Sequence, residues 1–314
     1  MYNPAPIFKF VEAKQALGQA VVLVTIAAAS ASSSRNPGAH LAVSQDGAMI
    51  GSLTGGCIEA AVAAEALEVL REGRPRITLY GQGSRFLDIR LPCGGSLDIL
   101  FSPLRDLHMG TKLVKHLALR APFTIALSLS DEAIALSQGE SRFDAQLSAT
   151  HLTINHIAPL RLLLIGQGAA VDVLHDIGAT IGIESIIYSP NRDLIERIQA
   201  RGSPAYLLSS ISALPDFETD RFTAAVLLLH EHEWEPPILK QLLASDAFYL
   251  GAMGSRAVHS ARRDSLREMG VSIATLERIA APIGLIPSMR DPETLAVSII
   301  AQIIDLFNRD FLAF

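Results

Sequence analysis

The sequence predicts an α/β protein of two domains: a mixed α/β domain rich in cysteine and glycine motifs, then a Rossmann-like domain with a parallel sheet. From residue 160 on, buried-strand patterns alternate with helical patterns over short connections, which is typical of a parallel sheet covered on both faces. Gly166-Gln167-Gly168 directly follows the first of these strands. A chain of 314 residues is long enough for two cores, and we place the domains at residues 1–157 and 158–314.

Composition narrows the class of protein. Apolar residues make up 49% of the chain, the net charge is −6, and Lys and Arg form no cluster, so we expect no nucleic-acid partner. No apolar run approaches the roughly 20 residues of a membrane span, and Met1 to Glu12 does not have the order of a signal peptide. Two cysteines cannot form a disulfide framework, so a cytoplasmic protein is expected.

The segment Gly51-Ser52-Leu53-Thr54-Gly55-Gly56-Cys57 is predicted to open a helix, because apolar residues recur at helical spacing from Ile58 to Leu70. Paired glycines permit a tight turn, and a helix N-terminus offers N–H groups without partners. These groups would suit an anion such as phosphate at Gly55 and Gly56. The same helix dipole would favour the thiolate of Cys57.

The second cysteine, Cys93, also lies beside glycines, in Leu91-Pro92-Cys93-Gly94-Gly95. Cys57 and Cys93 could be buried structural thiols, a redox pair, or ligands to a soft metal or a sulfur-bearing cofactor. Two cysteines cannot complete a structural zinc site, and the glycine context favours accessible sulfur. We therefore expect both thiols to face a cofactor as metal ligands.

The first domain offers a second candidate anion site. Its first strand ends in a loop of turn-forming residues, Ser30 to Gly38, which is either a flexible connection or a loop in which Arg35 meets a phosphate. Gly139 to Pro159 lacks clear periodicity and leads to the domain boundary. The other elements predicted for this domain are helices at 9–20 and 107–120, strands at 21–28, 76–80 and 96–102, and a hairpin of 124–129 with 133–137.

The glycine loop of the second domain matches the dinucleotide-binding fingerprint only in part. Gly166 and Gly168 are present, but Val171 replaces the third glycine. Tyr188-Ser189-Pro190 stands where a carboxylate would bind the ribose hydroxyls, which argues against nicotinamide chemistry. Strands are predicted at 161–165, 185–188, 224–229 and 247–250, and helices at 169–181, 193–201, 237–245, 255–269 and 292–307.

Two more segments follow strands of this domain. Gly254-Ser255-Arg256 is either a tight turn with a serine N-cap or a site where Arg256 meets a phosphate or carboxylate, and its place at the sheet edge favours the second. His230-Glu231-His232-Glu233 is either a metal site or a solvated acidic loop. Pro236 soon ends an extended strand, which favours the loop. Of the four residues, His230 is the one expected to face the cleft.

Together these motifs resemble the XdhC/CoxI family of molybdoenzyme maturation factors along nearly the whole chain. The matching segments are Arg35-Asn36-Pro37-Gly38-Ala39, residues 51–59, Tyr80-Gly81, residues 91–95, Gly166-Gln167-Gly168, Leu229-His230, residues 250–256, Pro282-Ile283-Gly284-Leu285 and residues 292–301. Three positions differ from the usual pattern: Ala31 replaces a glycine, and Glu231 and Ile286 each replace an aspartate.

The resemblance implies a chaperone without turnover that binds and protects the molybdenum cofactor, either as molybdopterin or as its cytidine dinucleotide. It implies sulfuration with a cysteine desulfurase, a cofactor nucleotidyltransferase as a further partner, and delivery to an apo-molybdoenzyme of the xanthine dehydrogenase or aldehyde oxidoreductase type. The residues expected to hold the cofactor are Arg35, Gly55, Gly56, Cys57, Cys93, Gly94, Gly95, Gly166, Gly168, His230, Gly254, Ser255 and Arg256.

Two other functions stay open on the residues alone. An NAD(P)-dependent oxidoreductase would use the Gly166 loop and would bind nicotinamide measurably. A plain interaction protein would bind partners regardless of changes to cysteines and glycines. A homodimer is expected because many apolar residues need cover.

Overall fold

The computed structural model describes residues 3–30, 36–56, 58–84, 91, 94–229, 233–286, 289 and 291–312. The chain forms two compact units that divide between Ala158 and Pro159, and Phe311 and Leu312 group with the N-terminal unit. Across the described residues, no helix combines the length and the apolar character needed to cross a lipid bilayer.

The N-terminal unit begins with an antiparallel sheet that α-helices cover. Its elements are α1 (Ala5–Ala16), β1 (Val21–Ser30), β2 (His40–Ser44), β3 (Met49–Ile50), α2 (Glu59–Glu72), β4 (Arg76–Gly81) and β5 (Ser96–Leu104). The strand order is β3-β2-β1-β5-β4. The central strand β1 places Val22, Val24 and Ile26 in the same core cluster as Val62 and Ala66 of α2, so this helix is held firmly against the sheet.

A second antiparallel sheet completes this unit. It is built from α3 (Met109–Ala118), β6 (Phe123–Ser128), β7 (Ile134–Gln138), β8 (Asp144–Leu147) and β9 (His151–His156), with the order β7-β6-β9-β8. The predicted hairpin is present as β6 and β7. The structure adds β8 and β9 within the segment that lacked clear periodicity. In β9 the inward positions are filled by Leu152, Ile154 and the polar His156, so the apolar alternation is incomplete in the sequence.

The buried side chains of His40 and His156 connect the two sheets of the N-terminal unit. His40 lies on β2 and His156 ends β9, and their Nε2 atoms are 3.2 Å apart. Thr25 of β1 lies on the other side of His40, with its Oγ1 2.8 Å from Nδ1. Phe8 and Phe123 contact the His156 ring, which makes this cluster largely apolar.

The C-terminal unit is a parallel sheet with helices between its strands. Its elements are β10 (Arg161–Gly166), α4 (Ala169–Thr180), β11 (Glu184–Ser189), α5 (Arg192–Ala200), β12 (Ala205–Leu207), β13 (Thr223–Leu228), α6 (Glu235–Leu243), β14 (Tyr249–Ala252), α7 (Arg256–Glu268), α8 (Ile273–Leu276), β15 (Ile279–Ala280) and α9 (Pro292–Phe311).

The strand order of this sheet confirms the Rossmann-like prediction. The order is β12-β11-β10-β13-β14-β15, and all neighbouring strands are parallel. Numbered within the unit, this is 3-2-1-4-5-6, the order of doubly wound nucleotide-binding folds. The chain reverses its direction of growth between β10 and β13, and in such sheets ligands bind in the crevice at the carboxyl ends of those strands.

Candidate functional site

The turn that precedes α2 is closed by the side chain of Glu59, the first residue of that helix. We call residues 52–56 and 58 the Glu59 turn. Both carboxylate oxygens accept several hydrogen bonds. Oε1 accepts from Ser52 Oγ at 2.8 Å and from the N–H groups of Leu53 at 3.1 Å, Thr54 at 3.0 Å and Gly55 at 3.2 Å. Oε2 accepts from Thr54 Oγ1 at 3.0 Å and from the N–H groups of Gly56 at 2.9 Å and Ile58 at 3.1 Å.

These hydrogen bonds keep Glu59 ionised although its side chain is buried. Burial alone disfavours the charged form, but donors from Thr54 and Ser52 outweigh it and lower the pKa of Glu59 to about 2. Glu59 therefore carries a full negative charge inside a ring of amide donors at neutral pH.

The structure corrects one premise about Gly55 and Gly56. Their N–H groups were expected to be unpaired and open to a phosphate, but both donate to Glu59. Their φ angles, +82° for Gly55 and +120° for Gly56, lie in the left-handed region that favours glycine. Both residues are exposed, and no atom lies within 4 Å of where a Cβ would stand, so the outer side of the turn is open.

The glycines beside Cys93 lie where β4 ends and β5 begins. Gly95 is buried, and its carbonyl oxygen accepts from Gln82 N–H at 3.1 Å. A Cβ on Gly81 would collide with that same carbonyl, so the two backbones approach too closely for a side chain. Gly94 is exposed with φ +70°. The Gly94-Gly95 pair therefore belongs to a tight junction between two strands.

Four of the expected site residues, Arg35, Cys57, Cys93 and His230, lie outside the described residues. Within the part of the chain that is described, no three His, Cys, Asp or Glu side chains form a group that could hold a metal. The metal assignments of Cys57 and Cys93 thus stay predictions from the sequence.

The Gly166 loop has the geometry of a dinucleotide-fold turn. Gly166 ends β10 and pairs with Leu228 of β13, and a Cβ on Gly166 would lie 2.6 Å from the Leu228 carbonyl carbon. Gly168 is the N-cap of α4, with φ +84° and ψ −178°, a conformation that is essentially restricted to glycine. The loop therefore brings the N-terminus of α4 to the crevice between β10 and β13.

The end of β11 lacks the acidic side chain of an NAD site. Ser189, its last residue, is fully buried, and its Oγ accepts from Asn191 N–H at 3.1 Å. Tyr188 is buried, with its ring edge-on to Phe217 of the core and stacked on the exposed Tyr206 at 5.2 Å between centroids. Neither residue offers a carboxylate to ribose hydroxyls.

The turn between β14 and α7 presents one arginine and buries another. Ser255 Oγ caps α7 by accepting from Val258 N–H at 3.3 Å, and Arg256 is exposed at the first helical position. Gly254, with φ +142°, packs tightly, since a Cβ there would lie 2.9 Å from Val258 Cγ1. Both functions proposed for this segment are compatible with that geometry, because the capped turn leaves Arg256 accessible.

The buried arginine is Arg262, whose role the sequence analysis did not find. Its Nε and Nη2 donate to the two oxygens of Glu235 at 2.9 and 3.1 Å, and Nη2 also donates to Met253 O at 2.6 Å. Arg262 is 3% exposed and Glu235 2%. This pair joins α6 to α7 and fixes the turn that carries Arg256. The sequence contains one signal for the burial of Arg262. Leu266, four residues later, is apolar and lies on the same face of the helix, which is the buried face.

Two family models match this sequence. The model described as XdhC and CoxI family matches residues 15–81, and the one described as XdhC Rossmann domain matches residues 162–303. These regions contain the Glu59 turn and the parallel sheet of the C-terminal unit, so each unit is matched separately.

Similar proteins cover most of the chain. The molybdenum cofactor insertion chaperone PaoD of Escherichia coli (strain K12) is 31% identical over 286 residues, which are 91% of this chain and 83% of PaoD. The uncharacterized protein YqeB of the same organism is 23% identical over 86% of this chain and 40% of YqeB. A solved structure from Bacillus halodurans, described as a xanthine dehydrogenase, has a TM-score of 0.76 at 22% identity and covers 96% of both chains, which supports the fold.

The cysteine and glycine motifs, the 3-2-1-4-5-6 sheet and the two matched regions lead to one identification. The resemblance stated from the motifs is confirmed, and this chain belongs to the XdhC and CoxI family.

Proposed function

We propose that this chain is a cytoplasmic chaperone without turnover that binds the molybdenum cofactor and delivers it to an apo-molybdoenzyme of the xanthine dehydrogenase or aldehyde oxidoreductase type. The observation that carries the proposal is the 31% identity to PaoD, a molybdenum cofactor insertion chaperone, along 91% of this chain. We extend the proposal to sulfuration with a cysteine desulfurase, to exchange with a cofactor nucleotidyltransferase, and to a homodimeric state.

The chemistry of the cofactor matches the residues that this chain offers. Its metal is held by sulfur ligands, and thiolates such as Cys57 and Cys93 suit soft metal centres. Its phosphate suits a helix N-terminus at the carboxyl edge of a parallel sheet, where Gly168 and Arg256 lie. The bound form is molybdopterin or its cytidine dinucleotide. The missing carboxylate at Ser189 favours a nucleotide other than NAD.

The decisive experiment is anaerobic purification of the protein from molybdate-supplied cells. Molybdenum and pterin are measured per chain, and the nucleotide is identified by chromatography. Near-stoichiometric molybdenum with pterin is expected and would name the cofactor form. Absence of pterin after incubation with released cofactor, together with tight NAD(P) binding, would instead support an oxidoreductase that uses the Gly166 loop.

A further inference from the structure

We propose that Glu59 is the positioning residue of the Glu59 turn: it holds the backbone at Gly56 and Ile58, on either side of the thiol proposed to face the cofactor, and it withholds the amide donors of this turn from a phosphate. This inference rests on the proposed function. It concerns a side chain two residues after Cys57 that is not itself proposed to bind the metal.

The backbone on both sides of residue 57 is fixed to a single atom. Gly56 N–H, before that residue, and Ile58 N–H, after it, both donate to Oε2 of Glu59, at 2.9 and 3.1 Å. Oε1 holds the preceding part of the turn through Leu53, Thr54 and Gly55. One carboxylate therefore holds the amides of Gly56 and Ile58 as well as those of the preceding part of the turn.

Helix α2 anchors that carboxylate. Glu59 begins the helix, and Val62, Ala66 and Val69 of the same helix are fully buried in the core of the N-terminal unit. The turn therefore moves with a rigid element rather than as a free loop. Groups that orient a ligand-bearing segment in this way typically change metal affinity when they are altered, although they do not touch the metal.

The same arrangement excludes a phosphate from the inner side of the turn. Its amide donors are occupied, and a second anion there would meet the negative charge of Glu59 at close range. The outer side, at Gly55 and Gly56, is exposed and free of neighbouring atoms within 4 Å of each Cβ position. The turn therefore leaves space on its outer side, while the amide donors of residues 53–56 and 58, all bound to Glu59, are withheld from a phosphate.

Glu65 provides a matched control on the same helix. It is also buried, at 5% exposure against 8% for Glu59, but it accepts from Arg76 Nη1 at 2.6 Å and from Thr78 Oγ1 at 3.1 Å. Replacing Glu65 by Gln therefore disturbs a buried carboxylate of α2 without touching the turn. It separates loss of stability from loss of positioning.

The first experiment measures amide hydrogen exchange of residues 52–58 in the wild type, Glu59→Gln, Glu59→Ala and Glu65→Gln. In Glu59→Gln one oxygen remains and an NH₂ group replaces the other. Since Oε1 serves more N–H groups than Oε2, we expect the amides of Gly56 and Ile58 to lose protection first. In Glu59→Ala all these amides should lose protection, and added acetate should restore part of it by replacing the missing carboxylate.

The second experiment measures molybdenum and pterin retained per chain after purification, with the melting temperature recorded alongside. Glu59→Gln should retain roughly 10- to 100-fold less cofactor. Glu65→Gln should lower the melting temperature while it retains wild-type amounts. In a titration of the wild type with inorganic phosphate followed by NMR, the amides of Gly55 and Gly56 should not shift.

Each outcome decides one claim. Wild-type retention in Glu59→Gln, despite lost amide protection, would overturn the positioning role. A saturable phosphate shift at Gly55 and Gly56 would overturn the claim that Glu59 withholds these amides from a phosphate. If the wild type itself retains no pterin, the proposed function fails, and the exchange data still establish whether Glu59 fixes the turn.

Discussion

The Nε2 atoms of His40 and His156 face each other at 3.2 Å in the buried centre of the N-terminal unit. A single proton between them satisfies both nitrogens, whereas a proton on each would place two donors in contact. Burial lowers the pKa of His40 to about 3, and burial followed by repulsion from His40 holds the pKa of His156 well below its usual range. Both rings are therefore neutral in the folded protein across the physiological range.

This pair predicts acid sensitivity of the N-terminal unit. In the unfolded chain both histidines titrate near pH 6.5, so the unfolded state binds more protons below that pH. Stability should be unaffected by them above about pH 6.5 and should fall as the pH drops towards 3. The slope can reach about 1.4 kcal/mol per pH unit for each histidine. Urea unfolding at about pH 7.5, 6, 5 and 4 measures this fall in the free energy of unfolding.

Replacing one histidine of the pair tests whether the pair causes the acid sensitivity. His156→Phe suits the surrounding aromatic rings and removes one acid-sensitive group, so its stability should fall less steeply with acid than that of the wild type. His151→Phe, on the exposed face of the same strand, should keep the wild-type slope. Equal slopes in the wild type and in His156→Phe would show that the acid sensitivity comes from elsewhere.

The Arg262–Glu235 pair predicts a large loss of stability when one partner is removed. Arg262→Ala leaves the Glu235 carboxylate buried without its guanidinium, and such a change typically costs about 3–5 kcal/mol. Arg263→Ala breaks a pair with Glu277 that is partly exposed, and should cost about 1 kcal/mol or less. Urea unfolding compares them. Equal costs would mean that Arg262 acts as a surface residue.

Gly166 should not tolerate even a methyl group. In Gly166→Ala the Cβ would stand 2.6 Å from the carbonyl carbon of Leu228, so β10 and β13 must separate, at a cost of about 1–3 kcal/mol. In Gly178→Ala, inside α4, the Cβ meets Leu162 Cδ1, the end of a side chain, at 3.2 Å and Ile183 at ordinary contact distances of 3.8 and 3.9 Å. The variant also gains helix propensity, so it should change stability by less than about 1 kcal/mol. Thermal unfolding measures both, and a neutral Gly166→Ala would contradict the close approach of the strands.

The thiols give the direct test of cofactor binding. Cys93→Ser should reduce the molybdenum and pterin retained per chain, because a hydroxyl is a much poorer ligand than a thiolate for a soft metal. Cys57→Ser and the double variant are measured in parallel by metal and pterin analysis. Wild-type retention in both single variants and in the double variant would remove the thiols from the site.

The sequence predicted the sheet of the C-terminal unit well, because its strands are buried on both faces and leave long apolar runs. The bounds of β10 and β13 differ from prediction by at most one residue at each end. The short edge strands β12 and β15 were missed, since three and two residues carry too little pattern. Pairing with a neighbour defines such strands more than their own residues do.

The candidate site was predicted less completely, for a different reason. The glycines of the Glu59 turn predict a tight turn, but only the structure shows that its backbone N–H groups point towards Glu59. An acidic residue in the first helical turn is a common complement to the helix dipole, and this was the available signal for Glu59. Arg262 and Arg263 are identical neighbours in sequence, and beyond the helical spacing of Arg262 to the apolar Leu266 nothing in the sequence distinguishes the buried arginine from the exposed one.

The last described residues of the chain have a consequence for how the protein is made. Phe143 N–H donates to Phe311 O at 2.7 Å, and Arg142 Nη2 donates to Leu312 O at 3.3 Å, both within the N-terminal unit. On the ribosome, residues 159–310 must emerge before these partners do. The N-terminal unit is synthesised first, but it makes these contacts only after the whole Rossmann-like unit has been translated. The two units therefore do not complete their folding strictly in the order of synthesis.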